Sequence, residues 1–402
     1  MTDVSGFDLN KIDAAFIEDP YPTLKALRQS APVHRNADGS VYLTRHDDCL
    51  ATYRARDMLS DKTEAFGKKF GECPLKVHHT TSLIFNDPPY HTVVRKLISG
   101  AFTPRKLKEM ERAIERIVSR LLDRVEDLGE LDLIADFAMM LPTEIISIML
   151  GVPEAYRAQL RGYSTAILGA LDPVVSPEQM AAGNAAVEEF GAVLDELINH
   201  RRAHPDAAAE GEVLEALIFG EHEGRRLSQE ELVQNCIFLL NAGHETTTSF
   251  VGNAISLLLN NPGEHQKLIE DPSLIGTAVE ETLRMESPLQ IGNRLAGEDI
   301  TLPSGALVEK GTYIHTSIAA ANRDPAVFDD ADRLDITRKP NPHIAFITGI
   351  HVCLGASLAR MEGKIALGGF VQRFPKLAAD GPGERLGLAR FRGWTSLPIR
   401  VG

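Results

Sequence analysis

Cysteine is scarce in this chain. The 402 residues include four, Cys49, Cys73, Cys236 and Cys353. They lie far apart and form no C-x-x-C pair, which excludes a disulfide framework and a four-ligand zinc site and fits a reducing cytosol. Positive charge is also short. Lys and Arg number 42 against 56 Asp and Glu, a net charge of -14, which argues against general nucleic-acid binding. No apolar run approaches the ~20 uncharged residues of a membrane-spanning helix. The start, Met1-Thr-Asp-Val-Ser-Gly-Phe-Asp8, is acidic and polar, unlike a signal peptide. A soluble, cytoplasmic protein is expected, with no nucleic-acid or membrane partner. No G-x-G-x-x-G follows a strand pattern, so the chain shows no flavin or nicotinamide site of its own. No internal repeat or linker divides it.

What the chain does have centres on one cysteine near the C-terminus. Phe346-Ile-Thr-Gly349-Ile-His351-Val-Cys353-Leu-Gly355 forms a loop before an apolar helical pattern, Leu354 to Phe370. Gly349 and Gly355 allow backbone geometry and close approach that a side chain would block. A thiolate at a helix start is stabilised by the amides there and is a soft ligand for iron. Taken alone, Cys353 reads equally as a buried structural thiol.

Upstream, Ser228 and Glu231 form a capping box before a long apolar helix, Leu232 to Leu259. Its middle, Asn241-Ala-Gly-His-Glu245-Thr246-Thr-Thr248, opposes helix propensity, and a threonine hydroxyl there can bond the carbonyl one turn back. Pro88-Pro89 sets a helix start, placing His91 and Arg95 on one face at i, i+4. Alone the pair reads first as a solvated helix face, and two cationic donors so spaced also suit a buried carboxylate. Glu281 and Arg284 pair at i, i+3 on a helix over Leu274 to Met285. Further helices are expected over Thr23–Gln29, Met110–Leu128, Leu131–Leu150 and Val187–Ala203. Strands are expected at Val41–Thr44, Ile300–Leu302, Ala306–Val308 and Thr312–Thr316. Met58 to Phe85, broken by Gly67, Gly71 and Pro74, reads as a long irregular segment.

Together these stretches resemble the cytochrome P450 family. The cysteine loop matches F-x-x-G-x-H/R-x-C-x-G at Phe346, Gly349, His351, Cys353 and Gly355, with Ile347 where many members carry glycine. Ala242, Gly243, Glu245 and Thr246 match the A-G-x-E/D-T of the helix over the haem, and Glu281 and Arg284 match E-x-x-R. Ala320-Ala-Asn-Arg-Asp324-Pro and Leu334-Asp-Ile-Thr-Arg338 match two further pieces, with Leu334 in place of the common Phe. The likeness covers nearly the whole chain and is closest to the soluble bacterial class.

The resemblance implies a mainly α fold with a smaller β-sheet region, as one catalytic domain over residues 1–402. It implies haem b, the protoporphyrin IX iron, with Cys353 as metal ligand. His91, Arg95, Arg294 and His351 would neutralise the propionates, and Phe346, Gly349 and Gly355 would shape the loop around the cofactor. Thr246 and Glu245 would be catalytic, delivering protons to dioxygen. The implied activity is monooxygenation: hydroxylation, epoxidation or dealkylation of a small to medium apolar organic substrate. Leu239, Leu240, Ala242, Leu289, Ile291, Asn293 and Trp394 would line its pocket. Electrons would come from an iron–sulfur ferredoxin and its reductase. A basic run, Arg95, Lys96, Arg105, Lys106, Lys108, Arg112, Arg116, Arg120 and Arg124, offers such an acidic partner a docking face. A peroxide-driven peroxygenase and a non-catalytic haem sensor remain as alternatives.

Overall fold

The structure, a computed structural model, describes residues 3–207 and 211–402. Its axis is the helix Gln229–Asn260, started by the reciprocal Ser228–Glu231 capping box. Most of its length is apolar and buried, and several helices pack around it. Among them are Pro74–Thr81, Met140–Leu150, Leu160–Gly169, Pro177–Ala203, Ile275–Met285 and Ala356–Arg373. The helix Pro104–Leu128 is amphipathic instead. Its stripe of Ile114, Ile117, Val118, Leu121, Leu122 and Val125 is buried against Ala356–Arg373, and Gly129 ends it at φ 70°.

Beside the helices lies a five-stranded sheet in the order Val33–Arg35, Val41–Leu43, Tyr313–Ser317, Ile291–Ala296, Met58–Leu59. Neighbouring strands run antiparallel except Val41–Leu43 and Tyr313–Ser317, which are parallel. The sheet holds Arg294 on its strand Ile291–Ala296, with Arg294 paired to Ile314. Among the described residues, three smaller sheets lie outside it. No described helix is long and apolar enough to cross a membrane.

Several boundaries differ from expectation, each for a local reason. The segment Met58 to Phe85 is ordered, not irregular. It contains a short strand, helices Thr63–Phe70 and Pro74–Thr81, and a 3-10 turn Leu83–Phe85. Gly67 is tolerated inside the first helix, Gly71 ends it at φ 66°, and Pro74 starts the second at its first position. The expected helix Leu131–Leu150 begins as a strand, Glu130–Asp132, paired with Pro398–Arg400. A π turn, Ile134–Ala138, then leads into the helix Met140–Leu150. Asp132 causes the break, because its carboxylate accepts the Ile134 and Ala135 N–H groups. The helix expected at Val187 starts ten residues earlier, at Pro177, behind a Ser176–Gln179 capping box.

Candidate active site

Cys353 sits at the end of a tight loop whose path is set by backbone bonds. Its N–H donates to the Phe346 carbonyl at 3.0 Å, and the Val352 N–H to Gly349 at 3.1 Å. Gly349 adopts φ 76°, and a Cβ there would run into the Tyr53 carbonyl. Ile347 adopts φ 49° although it is β-branched, so the residue replacing the family's glycine carries left-handed strain itself. Gly355 has no such requirement, because nothing lies within 4 Å of a Cβ placed on it. Phe346 stacks beneath the Arg360 guanidinium at 4.4 Å. Arg360 is held in turn by Glu280 at 2.7 and 2.8 Å, which His343 also approaches at 3.0 Å.

Cys353 is exposed as a residue, although its thiol is shielded from solvent. Desolvation pushes the thiol pKa up, against the opposing pull of the Gly355 N–H and the Arg95 and Arg360 charges. The expected helix-terminus stabilisation is therefore present but does not prevail in the protein alone. A bound metal cation is what makes such a thiolate persist.

His91, His351 and Arg294 converge on one buried place. The two imidazole rings lie 4.1 Å apart. Arg294 rests on the Tyr53 ring at 5.0 Å and gives one N–H to the Asn293 carbonyl. Both His91 nitrogens, the His351 Nε2 and the Arg294 Nη2 are buried without a hydrogen-bond partner. Burial and the neighbouring His351 and Arg95 charges hold His91 down at about 4. Asp87 stands 3.8 Å from His351. Burial pushes its carboxyl up, but His351 and the Ser60 and Asp61 N–H groups outweigh that and hold it at about 2. The Arg95 charge acts on His91 from one turn along the same helix. The Arg95 side chain is directed to the cysteine loop, donating to the Val352 carbonyl at 2.6 Å.

On the central helix, Ala242, Gly243 and Thr246 form the open stripe, while Asn241, His244, Glu245 and Thr247 are buried. The Thr246 hydroxyl donates to the Ala242 carbonyl at 2.5 Å. Glu245 accepts from Thr165 at 3.3 Å and Ser249 at 3.5 Å. Burial pushes the Glu245 carboxyl up, opposed by Arg161 and those two hydroxyls. Among the residues expected at the pocket, Leu240 is fully buried in the core, whereas Asn293 and Trp394 are partly open.

Sequence reasoning passed over Tyr53, Lys62 and Asp87. Asp87 carried a signal, standing just before Pro88-Pro89 at a helix start. Tyr53 and Lys62 carried none, because only the sheet and the segment behind it bring them to Arg294.

The residues present suit a porphyrin with two carboxylates. Buried nitrogens lacking partners are costly, and those of His91, His351 and Arg294 lie close enough to act on one another.

A family model described as Cytochrome P450 matches residues 50–381. The biotin biosynthesis cytochrome P450 of Bacillus subtilis is 36% identical over 389 residues, covering 96% of each chain. The vitamin D(3) 25-hydroxylase of Pseudonocardia autotrophica is 36% identical over 394 residues, covering 96% of this chain and 95% of that one. Among solved structures, P450BioI in complex with hexadec-9Z-enoic acid ligated acyl carrier protein superposes with a TM-score of 0.90 at 34% identity. That match covers 97% of this chain and 99% of the other.

Proposed function

The chain belongs to the cytochrome P450 family of monooxygenases, and on that premise we propose that it hydroxylates a small to medium organic substrate using haem b held by Cys353. Bound there, haem would supply dioxygen activation and insertion of one oxygen atom into the substrate. Everything else falls to the protein. His91, His351 and Arg294 hold the propionates, since leaving two buried carboxylates without cations would be costly. Arg95 steadies the cysteine loop through Val352 and places its charge beside the thiolate. Phe346 and Gly349 fix the loop's path, and the Gly355 N–H turns toward the thiolate.

Thr246 and Glu245 manage protons. The open stripe at Ala242, Gly243 and Thr246 gives dioxygen room, and the Thr246 hydroxyl, bonded here to the Ala242 carbonyl, would turn to it. Glu245, one residue before Thr246 and with its carboxyl pushed up by burial, would relay protons to that site through the Thr165 and Ser249 hydroxyls or water. Electrons arrive from a ferredoxin and its reductase. The supporting feature is the basic helix Pro104–Leu128, which follows directly on the helix bearing Arg95.

The observation that carries this reading is the set of buried, unpartnered nitrogens of His91, His351 and Arg294 beside the Cys353 loop. The test is the absorption spectrum of the dithionite-reduced protein with carbon monoxide. A strongly red-shifted Soret band in wild type, absent from Cys353→Ser, supports it. A band at the shorter wavelength of histidine or neutral thiol ligation, or no haem, overturns it.

A further inference from the structure

Tyr53 is a buried aromatic to which the chemistry above gives no role. It lies on the helix His46–Arg54 and is 3% exposed. A buried tyrosine with a satisfied hydroxyl is ordinarily core packing. This hydroxyl is satisfied, 2.5 Å from the Thr316 Oγ1. Its surroundings are less ordinary.

Gly292 and Arg294 stand two apart on the strand Ile291–Ala296 and therefore share a face. Tyr53 lies across that face. Its hydroxyl occupies the place that a Cβ on Gly292 would take. The Thr316 Oγ1, from the residue paired with Gly292 on the next strand, crowds the same point at 2.8 Å. The Tyr53 ring lies under the Arg294 guanidinium, 5.0 Å from centroid to carbon. Glycine at 292 is thus what lets the ring reach Arg294.

Little else fixes Arg294. It is buried, and its one hydrogen bond among the described residues runs from Nη1 to the carbonyl of its neighbour Asn293, at 2.8 Å. Its Nη2 has no partner. Asp87 acts on it electrostatically, but the Asp87 oxygens accept the Ser60 and Asp61 N–H groups. A long side chain held so loosely loses rotamer freedom when it binds an anion. An aromatic platform restricts it beforehand. The ring holds the guanidinium by its face and takes none of the N–H donors at its edge.

The same residue also meets the cysteine loop. The Tyr53 carbonyl sits where a Cβ on Gly349 would fall, and Gly349 opens the turn Gly349–His351. Tyr53 therefore spaces the strand that carries Arg294 from the turn that carries His351.

Building on the haem-thiolate reading above, we propose that Tyr53 is a positioning residue for the porphyrin, its ring holding the Arg294 guanidinium in place and leaving Nη2 free for a propionate.

Haem loss to excess apomyoglobin is timed for wild type, Tyr53→Phe, Tyr53→Leu, Arg294→Met and the Tyr53→Leu/Arg294→Met double variant. Tyr53→Leu should lose haem about fivefold faster than wild type, and Tyr53→Phe, which keeps the ring, should stay within about twofold. On the Arg294→Met background, Tyr53→Leu should add less than about twofold, because a residue acting through Arg294 has nothing left to hold. Arg294→Lys keeps the charge but gives up the flat face, so it too should lose haem faster than wild type. That variant leaves Tyr53 in place and keeps the proposal open to refutation if Tyr53→Leu does not fold. Wild-type haem loss from Tyr53→Leu or Arg294→Lys overturns the proposal, as does a Tyr53→Phe rate equal to that of Tyr53→Leu. An equal acceleration by Tyr53→Leu with and without Arg294 assigns Tyr53 to core packing and also overturns it. The carbon monoxide spectrum of the same samples keeps the two readings apart. A red-shifted band in wild type without this coupling sinks the Tyr53 role alone, and absence of the band sinks the haem-thiolate reading and the Tyr53 role with it.

Discussion

Arg284 meets Glu281 through two parallel contacts, Nε to Oε2 and Nη2 to Oε1, each 2.8 Å, with both side chains fully buried. Arg284 also donates to the carbonyls of Asn322 and Ala331, and Glu281 also accepts from Arg338, Asn341 and the Asp335 N–H. The pair thus ties the helix Ile275–Met285 to the segment leading into the cysteine loop. Removing one partner leaves the other charge buried and unmatched. Arg284→Met should cost about 3–5 kcal/mol, read as a lower urea midpoint and poor haem incorporation. Wild-type stability in that variant would refute the assignment.

Gly349 predicts a local defect. Any side chain there must accept φ 76° and displace the Tyr53 carbonyl. Gly349→Ala should cost about 1–3 kcal/mol from the backbone alone. Because the strain falls within four residues of Cys353, it should lower the fraction of protein showing the red-shifted carbon monoxide band. Far-ultraviolet circular dichroism should stay unchanged, which distinguishes a loop defect from global unfolding.

Thr246→Ala should uncouple electron consumption from product. The hydroxyl on the open stripe disappears while Glu245 keeps its bonds to Thr165 and Ser249. Product formation should fall on the order of a hundredfold, with hydrogen peroxide accumulating and the thiolate spectrum intact. Oxygen uptake measured beside peroxide and product decides it, and retained coupling would remove Thr246 from the proton path.

The basic face is thinner in three dimensions than in sequence. Arg105 and Lys106 are engaged with Glu109, Arg120 with Glu144, and Arg124 with Asp136. Arg116, exposed on the same helix, is the sharper probe. Arg116→Glu should raise the ferredoxin KM on the order of fivefold at low salt, and the difference should shrink as ionic strength rises. Unchanged reduction kinetics would place the partner elsewhere.

The central helix and the cysteine loop were legible because their signals are local. A capping box, an apolar run and glycines at fixed offsets act within one turn or one loop. The helices of 63–81 were not, because Gly67 and Gly71 weaken the pattern, and packing of Phe66, Phe70 and Leu75 into the core supplies what propensity lacks. Arg95 kept its expected helix and also donates to the Val352 carbonyl, a contact that i, i+4 spacing does not show, because it fixes a face and not the acceptors met there. Lys62 was illegible for a third reason. Its burial beside Arg294 depends on a strand more than two hundred residues away.

Glu362 gives the pH prediction. It lies on the helix Ala356–Arg373, 4% exposed, with its Oε2 unpartnered. Burial pushes its carboxyl up to about 8, only partly offset by the Thr247 hydroxyl. A folded pKa above the unfolded value of 4.5 means that the proton stabilises the fold. Its contribution is fully present below pH 4.5 and is lost as pH rises toward about 8. Glutamine keeps the shape and cannot ionise, so Glu362→Gln should match wild type in Tm near pH 4.5 and exceed it progressively above. The gain by pH 8 should be on the order of a few kcal/mol, since each tenfold difference in proton affinity between the folded and unfolded chain is worth about 1.4 kcal/mol. A constant difference across that range would mean that Glu362 is ionised in the fold, with a cation or water supplying its partner.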